Sequence, residues 1–224
     1  MSTLSFLIPV TILGTIAWAV VGFTRGRGGE PLTLATGASF YARVILIAGV
    51  LLGLSGIAVL FKAGFGAIDP SFSYYAQPDF GKLPPGAVPP GALSGAAATA
   101  AQRGQDVVLG VTLLAIGAGV AATHLLLARV VGRMPGGSQP WITRGTTLAL
   151  TVATALGGIP AAAFGLYSLL AYFLIHNPAM PQAWGDPVGA AIAFLPAWVY
   201  STSRLLADLR NHGRGAAQVP ALTA

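Results

Sequence analysis

The chain has 224 residues, of which 54% are hydrophobic and only 8% are charged, and its mean hydropathy is +0.74. A soluble domain carries roughly 25% charged residues, so this composition excludes a soluble globular protein. It also excludes a disordered chain, which needs low hydrophobicity and high charge. Because the chain has no cysteine, it is not a disulfide scaffold. The class that is left is an all-α, polytopic transmembrane helical bundle in contact with a lipid bilayer.

Five apolar runs have the length of a membrane span. A hydrocarbon core about 30 Å thick requires roughly 20 mostly apolar residues in a helix. The apolarity of these runs is continuous, whereas strands of a transmembrane barrel alternate. We therefore predict transmembrane helices at residues 4–23, 41–61, 107–131, 146–175 and 187–206. Residues 62–106 form the predicted extracytoplasmic loop, and residues 211–224 form a cytoplasmic tail.

The basic residues between the runs predict the orientation, since Lys and Arg near span ends are retained in the cytoplasm. Nine of the 12 flank one set of alternating connections: Arg25, Arg27, Arg43, Arg129, Arg133, Arg144, Arg204, Arg210 and Arg214. Lys62, Lys82 and Arg103 fall on the opposite side. We expect the N-terminus outside and the C-terminus in the cytoplasm. Topology and anionic lipid account for the net charge of +6, so no nucleic-acid partner is predicted.

Small residues on two spans indicate where helices pack. Helix association in lipid depends on small side chains that let backbones approach closely. The second and fourth spans carry such residues at helical spacing: Gly49, Gly53 and Gly56, and Ala149, Ala153, Gly157 and Ala161. Ala115 with Gly119, and Ala118 with Ala122, provide a similar pattern on the third span. We expect spans two, three and four to form the centre of the bundle.

Prolines interrupt two of the spans. Pro160 lies in the middle of the fourth span and Pro196 in the fifth. An interior proline removes one backbone hydrogen bond and clashes with the preceding turn. We predict kinks at both positions, and a kink at Pro160 could be structural or could be a transport hinge.

The long loop is rich in proline and in aromatic residues, including Phe72, Tyr74, Tyr75 and Phe80. Prolines stiffen a segment, whereas a cluster of aromatic residues is unlike a solvated linker. Two interpretations stay open: the loop caps its own helices, or it docks a neighbouring subunit.

The acids and histidines offer little for catalysis. Enzymes and ion-coupled transporters of the membrane usually hold ionisable residues inside the bundle. All six acids fall in predicted loops or at span ends: Glu30, Asp69, Asp79, Asp106, Asp186 and Asp208. We expect no enzyme activity, no catalytic residue and no metal site. His124 is the one ionisable residue well inside a span, where it could bind a haem iron or a chlorophyll-type pigment, or form a hydrogen bond with a neighbouring helix.

Two segments carry a resemblance to a known family. They are F-Y-A-R-V-I-L-I-A-G from Phe40 to Gly49, and D-V-V-L-G-V-T-L-L-A-I-G from Asp106 to Gly117, followed by His124 and Arg129. This pattern resembles an uncharacterised bacterial membrane-domain family of about four spans, over residues 40–175. The resemblance implies a bacterial origin, and hence a multi-pass protein of the bacterial inner membrane, but no activity.

Three functions are compatible with these features. The favoured one is a non-catalytic accessory or scaffold subunit of a larger membrane complex, respiratory or photosynthetic, with other membrane subunits as partners and no cofactor. The first alternative is a pigment- or haem-binding subunit with His124 as its axial ligand. The second is a small-solute transporter hinged at Pro160.

Overall fold

The described part of the chain is all-α. The computed structural model describes residues 33–73, 75, 95–137, 140–175 and 184–217. They form the helices α1 (Leu34–Ile68), α2 (Gly95–Val131), α3 (Pro140–Leu174) and α4 (Gly185–Ala217), with a 3₁₀ turn at Pro70–Phe72. The predicted span 4–23, Tyr74, Phe80 and residues 218–224 of the predicted tail lie outside the described residues.

Three of these four helices, α1, α2 and α3, are long and apolar enough to cross a membrane. This supports the prediction of a membrane protein whose helices contact a lipid bilayer. The predicted spans 41–61 and 107–131 lie within α1 and α2. The predicted span 146–175 lies within α3 except for residue 175. The predicted span 187–206 lies within α4, which is not one of the three. The count of five spans and the orientation stay predictions.

The helices extend beyond the predicted spans. Helices α1 and α3 have 35 residues and α2 has 37. At 1.5 Å per residue they reach about 50 Å, which exceeds the hydrocarbon thickness. Helix α1 continues through Lys62 to Ile68, and α2 begins at Gly95. The connection is therefore shorter than the interval 62–106, and Lys62 and Asp106 lie within helices.

Local interactions explain where two of the helices begin. Thr33 precedes α1, and its Oγ1 accepts a hydrogen bond of 3.1 Å from the backbone N–H of Thr36. This is the arrangement of an N-cap, which satisfies one of the free donors at a helix start. Helix α3 begins at Pro140, where a proline costs nothing because the first N–H groups of a helix have no intrahelical partner.

The threonines of α3 are satisfied inside the helix. The hydroxyl of Thr146 donates to the carbonyl of Ile142 at 2.6 Å, and that of Thr154 donates to the carbonyl of Leu150 at 2.7 Å. Thr154 is fully buried. Since an unpaired polar group is costly in an apolar environment, this back-bonding allows a helix that is apolar enough to cross a membrane to carry threonines.

Packing divides the described residues into two compact units, and each α-helix contributes one segment to each. The first unit contains the described residues of 33–51, 118–157 and 194–217. The second unit contains the described residues of 52–117 and 158–193.

Close backbone approaches hold the second unit together. A Cβ added to Gly56 of α1 would lie 2.5 Å from the backbone N of Leu114 and 2.7 Å from the carbonyl O of Gly110, both on α2. A Cβ added to Gly189 of α4 would lie 2.9 Å from the Cβ of Phe61 on α1. Helix α1 thus contacts α2 and α4 where glycine leaves no side chain between them.

Aromatic residues and a glycine pack the first unit. The ring of Phe40 on α1 lies 6.4 Å from that of Trp141 on α3, measured between centroids. A Cβ on Gly157 of α3 would lie 2.8 Å from the Cδ1 atom of Phe194 on α4, so this aromatic ring rests directly on the α3 backbone.

Candidate functional site

Three charged side chains from three helices meet in the second unit. The Nζ atom of Lys62 on α1 lies 3.0 Å from Oδ2 of Asp106 on α2. It also lies 3.9 Å from Oδ2 of Asp186, in the first turn of α4. We call Lys62, Asp106 and Asp186 the ionic cluster. Their side chains are 26%, 20% and 36% exposed, so water screens them less than it screens a surface pair.

The glycine contacts determine where these charges meet. Lys62 comes shortly after Gly56, and Asp106 comes one turn before Gly110, so both lie close to the place where α1 and α2 touch. A Cβ on Gly189 of α4 would lie 3.3 Å from the backbone N of Lys62. One lysine therefore pairs with carboxylates from two neighbouring helices, and such pairing lowers the cost of holding charge in a partly buried position.

An aromatic cap covers part of the second unit. Phe72 packs between Trp184, at 4.7 Å between ring centroids, and Tyr172, at 5.7 Å in an edge-on geometry. Phe65 of α1 lies 5.1 Å from the same Trp184 ring. We call Phe65, Phe72, Tyr172 and Trp184 the aromatic cap. It fastens the 3₁₀ turn to α1, α3 and the start of α4, since ring contacts of this kind add stability beyond the area that they bury.

Ser73 and Tyr75, which follow the 3₁₀ turn, both contact Lys62. The hydroxyl of Ser73 donates a 2.6 Å hydrogen bond to the backbone carbonyl of Lys62. The ring of Tyr75 faces the ammonium group of Lys62, with Nζ 5.2 Å from the ring centroid, in a cation–π contact. A Cβ on Gly66 would overlap the Tyr75 ring, so glycine at this position makes room for the tyrosine.

The surroundings of Tyr75 favour its neutral form. Burial raises the pKa of its hydroxyl above the ordinary value of 10.0, and the negative charges of Asp106 and Asp186 raise it further. The positive charge of Arg103 acts in the opposite direction but does not cancel them. The phenol therefore keeps its proton in the folded protein at a pH where it would lose it in the unfolded chain.

This difference predicts a loss of stability in alkali. Below pH about 10, Tyr75 is protonated in both states and contributes no pH dependence. As the pH rises above that value, the unfolded chain releases the proton first, so the free energy of unfolding falls. We expect Tyr75→Phe to remove this part of the alkaline loss when unfolding in detergent is followed from pH 8 to pH 11. Tyr200→Phe, which removes the hydroxyl of a tyrosine that is 59% exposed, is the matched control. The prediction would be contradicted if the free energy of unfolding fell equally steeply with rising pH in Tyr75→Phe and in the wild-type protein.

His124 lies in the first unit and bonds to its own helix. Its Nδ1 lies 2.8 Å from the carbonyl O of Val120, one turn earlier in α2. Its ring meets the ring of Tyr41 on α1 edge-on, with 5.8 Å between centroids. Among the described residues, no group of three or more His, Cys, Asp or Glu side chains is placed to hold a metal ion.

Five of the seven predicted packing residues are buried and two are half-buried. Gly49, Gly53 and Gly56 of α1 are buried, as are Ala153 and Ala161 of α3. Ala149 and Gly157 are half-buried, and Gly157 forms the contact with Phe194 described above.

The two prolines predicted to kink lie inside helices, and two of the predicted docking residues contact their own chain. Pro160 lies inside α3 and Pro196 inside α4, and both helices continue through them. Of the four aromatic loop residues, Phe72 and Tyr75 are half-buried against helices of their own chain.

The ionic cluster is the feature that inspection of the sequence did not reveal. Lys62 ends one apolar run, Asp106 precedes another, and Asp186 precedes a third, so in the sequence each residue only borders a separate predicted span. The only sequence signal is that single charges of opposite sign border three runs predicted to end on the same side.

Comparisons of this chain with protein-family models, with curated proteins and with solved structures found no match.

Proposed function

We propose that the protein is a non-catalytic accessory or scaffold subunit of a larger membrane complex in the bacterial inner membrane, of the respiratory or photosynthetic kind. The ionic cluster carries this proposal. Lys62 contacts both Asp106 and Asp186, so these charges hold α1, α2 and α4 together. A proton or ion pathway, in contrast, requires carboxylates that can change their charge in the course of the cycle.

The outer surface of α3 supports a role in assembly. In the second unit, Phe164, Tyr167 and Phe173 are 67%, 68% and 69% exposed. Large apolar side chains of this kind must be covered either by lipid or by another protein in the membrane. We propose that part of this surface contacts a neighbouring subunit.

The cap region supplies a second surface for docking. Because Phe72 and Tyr75 are half-buried against their own helices, a partner would meet the outside of the cap. Ile68, the last residue of α1, is 76% exposed next to the 3₁₀ turn. A rigid cap held by ring contacts and by the Ser73 hydrogen bond offers a preformed surface, which lowers the entropic cost of binding.

The proposal predicts that the protein leaves its native membrane as part of a complex. Extraction in a mild detergent followed by native mass spectrometry should yield an assembly heavier than the 22.7 kDa chain and containing at least one other polypeptide. Treatment with a denaturing detergent should release the 22.7 kDa chain, which is the control for identity. A free monomer in two mild detergents, with no adduct after cross-linking in intact membranes, would contradict the proposal.

A second candidate function is binding of a haem or a chlorophyll-type pigment through His124. One observation favours it: a carbonyl oxygen can only accept, so the contact with Val120 requires the proton to be on Nδ1. In the neutral ring the lone pair is then on Nε2, and an imidazole held at Nδ1 with an unprotonated Nε2 is the usual form of a metal-binding histidine. The bound group would supply the light absorption or redox chemistry.

This candidate predicts a visible absorbance band in protein purified from its native host. His124→Ala should abolish the band. Thr123→Ala is the matched control, because Thr123 is adjacent, exposed and bonded only to its own helix at the Gly119 carbonyl. A featureless visible spectrum, or a band that His124→Ala leaves unchanged, would eliminate the candidate.

A further inference from the structure

Arg43 of α1 is a half-buried arginine in the first unit. Ser39 and Ile47, which lie one turn before and one turn after it on the same side of the helix, are only 2% and 3% exposed. The side chain of Arg43 therefore leaves α1 on its packed side. Its Nε is enclosed. In the part of the chain that the structure describes, this nitrogen has no hydrogen-bond partner and the guanidinium group forms no ion pair.

The outer end of this side chain can reach a ligand. Of its guanidinium nitrogens, only Nε is both enclosed and unpartnered, so Nη1 and Nη2 lie where the surface of the unit is accessible. An arginine is charged at every physiological pH, and its nitrogens form a fork that matches two oxygens of a phosphate or a carboxylate. A half-buried charge without a counter-charge is costly, so Arg43 needs an anion.

The depth of Arg43 matches the layer of lipid phosphates. Residues 44–61 of α1 contain no charged side chain, and at 1.5 Å per residue they extend over about 27 Å. This length is close to the hydrocarbon thickness of about 30 Å, so Arg43 borders the hydrocarbon at one end of this stretch and Lys62 borders it at the other. Lys62 is paired with Asp106 and Asp186, whereas no carboxylate of the described residues pairs with Arg43.

Two contacts show that α1 and α3 run in the same direction at this end of the first unit. The hydroxyl of Thr36 donates a 2.9 Å hydrogen bond to the carbonyl of Gly136, shortly before α3 begins. Further along both helices, the rings of Phe40 and Trp141 lie 6.4 Å apart. The two helices therefore start side by side and advance in parallel from the same end of the unit.

This parallel register places two arginines at the same level. Arg43 comes three residues after Phe40, and Arg144 comes three residues after Trp141. Each arginine thus shares the side of its helix with the ring that precedes it. Arg144 is exposed, so its positive charge faces the surroundings at the depth of Arg43. A second positive charge at this level strengthens the attraction for an anion.

The first unit as a whole carries an excess of positive charge. Among its described residues, Asp208 is the one acid, whereas arginines come from all four helices: Arg43, Arg129, Arg144 and Arg204. Basic surfaces at a membrane boundary attract anionic lipid. We propose that Arg43 binds the phosphate group of an anionic phospholipid at the end of the first unit where α1 and α3 begin. This inference does not depend on the accessory-subunit proposal, because a lipid can occupy the site with or without a partner subunit.

Lipid titration followed by native mass spectrometry tests this site in the full-length protein. The protein is stripped of lipid in a neutral detergent and mixed with phosphatidylglycerol, or with diacylglycerol, which has the same chains but no phosphate. The wild-type protein should retain phosphatidylglycerol in preference to diacylglycerol. Arg43→Gln should weaken the binding of phosphatidylglycerol by about tenfold, as expected for the loss of hydrogen bonds to a charged group. Arg43→Lys, which keeps the charge but not the fork, should give an intermediate affinity.

Arg129→Gln is the matched control, because Arg129 is an exposed arginine in the last turn of α2 in the same unit. It should weaken binding much less, and equal weakening by Arg43→Gln and Arg129→Gln would overturn the proposal. Equal retention of phosphatidylglycerol and diacylglycerol by the wild-type protein would also overturn it, whether or not the variants fold.

Two further outcomes would assign the anion to another source and so overturn the proposal. The first is displacement of phosphatidylglycerol by an equal concentration of inorganic phosphate, which would identify a soluble anion as the ligand. The second is loss of a co-purifying polypeptide from Arg43→Gln while phosphatidylglycerol binding stays unchanged. In that case a carboxylate of the other polypeptide would be the partner of Arg43.

Discussion

Replacing Lys62 by methionine should lower the free energy of unfolding by about 2 kcal/mol. The substitution keeps the length and apolar stem of the side chain but removes the charge that faces Asp106 at 3.0 Å and Asp186 at 3.9 Å. Removing one partner of a fully buried pair costs about 3–5 kcal/mol, and the partial exposure of this cluster reduces that figure. The free energy of unfolding falls mainly because Asp106 and Asp186 lose the positive charge that faces them.

Unfolding in a graded mixture of mild and denaturing detergents measures this loss. Arg133→Met is the control, because Arg133 is exposed in the turn after α2 and its removal should leave the unfolding midpoint unchanged. If Lys62→Met unfolds at the same midpoint as Arg133→Met, the ionic cluster does not stabilise the contact between these helices.

A double-mutant cycle separates the ion pair from simple loss of packing. Adding Asp106→Asn to Lys62→Met should restore part of the lost stability, since one of the uncompensated charges disappears with the second substitution. Strictly additive effects of the two substitutions would show that Lys62 and Asp106 do not interact in the membrane.

Replacing Gly56 by alanine should be comparably destabilising, for a steric reason. The new Cβ would lie 2.5 Å from the backbone N of Leu114 and 2.7 Å from the carbonyl O of Gly110. Backbone atoms cannot rotate away as a flexible side chain can, so α1 and α2 must separate. Overpacking of this kind costs about 1–3 kcal/mol, and we expect the upper part of that range because the separation would also lengthen the contact between Lys62 and Asp106.

Gly64→Ala provides a matched control in the same helix. A Cβ on Gly64 meets nothing within 4 Å, and alanine favours a helix over glycine by about 0.5–1 kcal/mol. Gly64→Ala should therefore be neutral or slightly stabilising in the same unfolding assay. Equal midpoints for Gly56→Ala and Gly64→Ala would show that the close approach of α1 and α2 does not matter for stability.

Hydropathy located the helices better than it located their ends. The predicted spans 41–61 and 107–131 fall inside α1 and α2, but α2 begins at Gly95. Residues 95–106 contain Gln102, Arg103 and Asp106, which end an apolar run without preventing helix formation. Apolarity indicates which residues can contact lipid, whereas a helix continues wherever its backbone hydrogen bonds are satisfied. The end of an apolar run therefore need not be the end of the helix.

Helical periodicity within the sequence placed three glycines of α1 on one face, whereas it gave no indication of the ionic cluster. Gly49, Gly53 and Gly56 share one face because helical periodicity requires it, and the structure buries all three. The partner of Gly56 is on α2 and that of Gly189 is on α1, and periodicity within one helix contains no information about another helix. The aromatic residues Phe72 and Tyr75 show the same limitation, since their contacts are with residues on other elements of the chain.

The amino-acid sequence by itself determined that this protein is an all-α chain with apolar helices suited to a bilayer, because composition and hydropathy act locally along the chain. Only the tertiary structure decided that Lys62 meets Asp106 and Asp186, and that Tyr75 lies over this lysine. The physical reason is that charge compensation and close packing depend on distances between helices. Those distances are set where glycine lets two backbones approach.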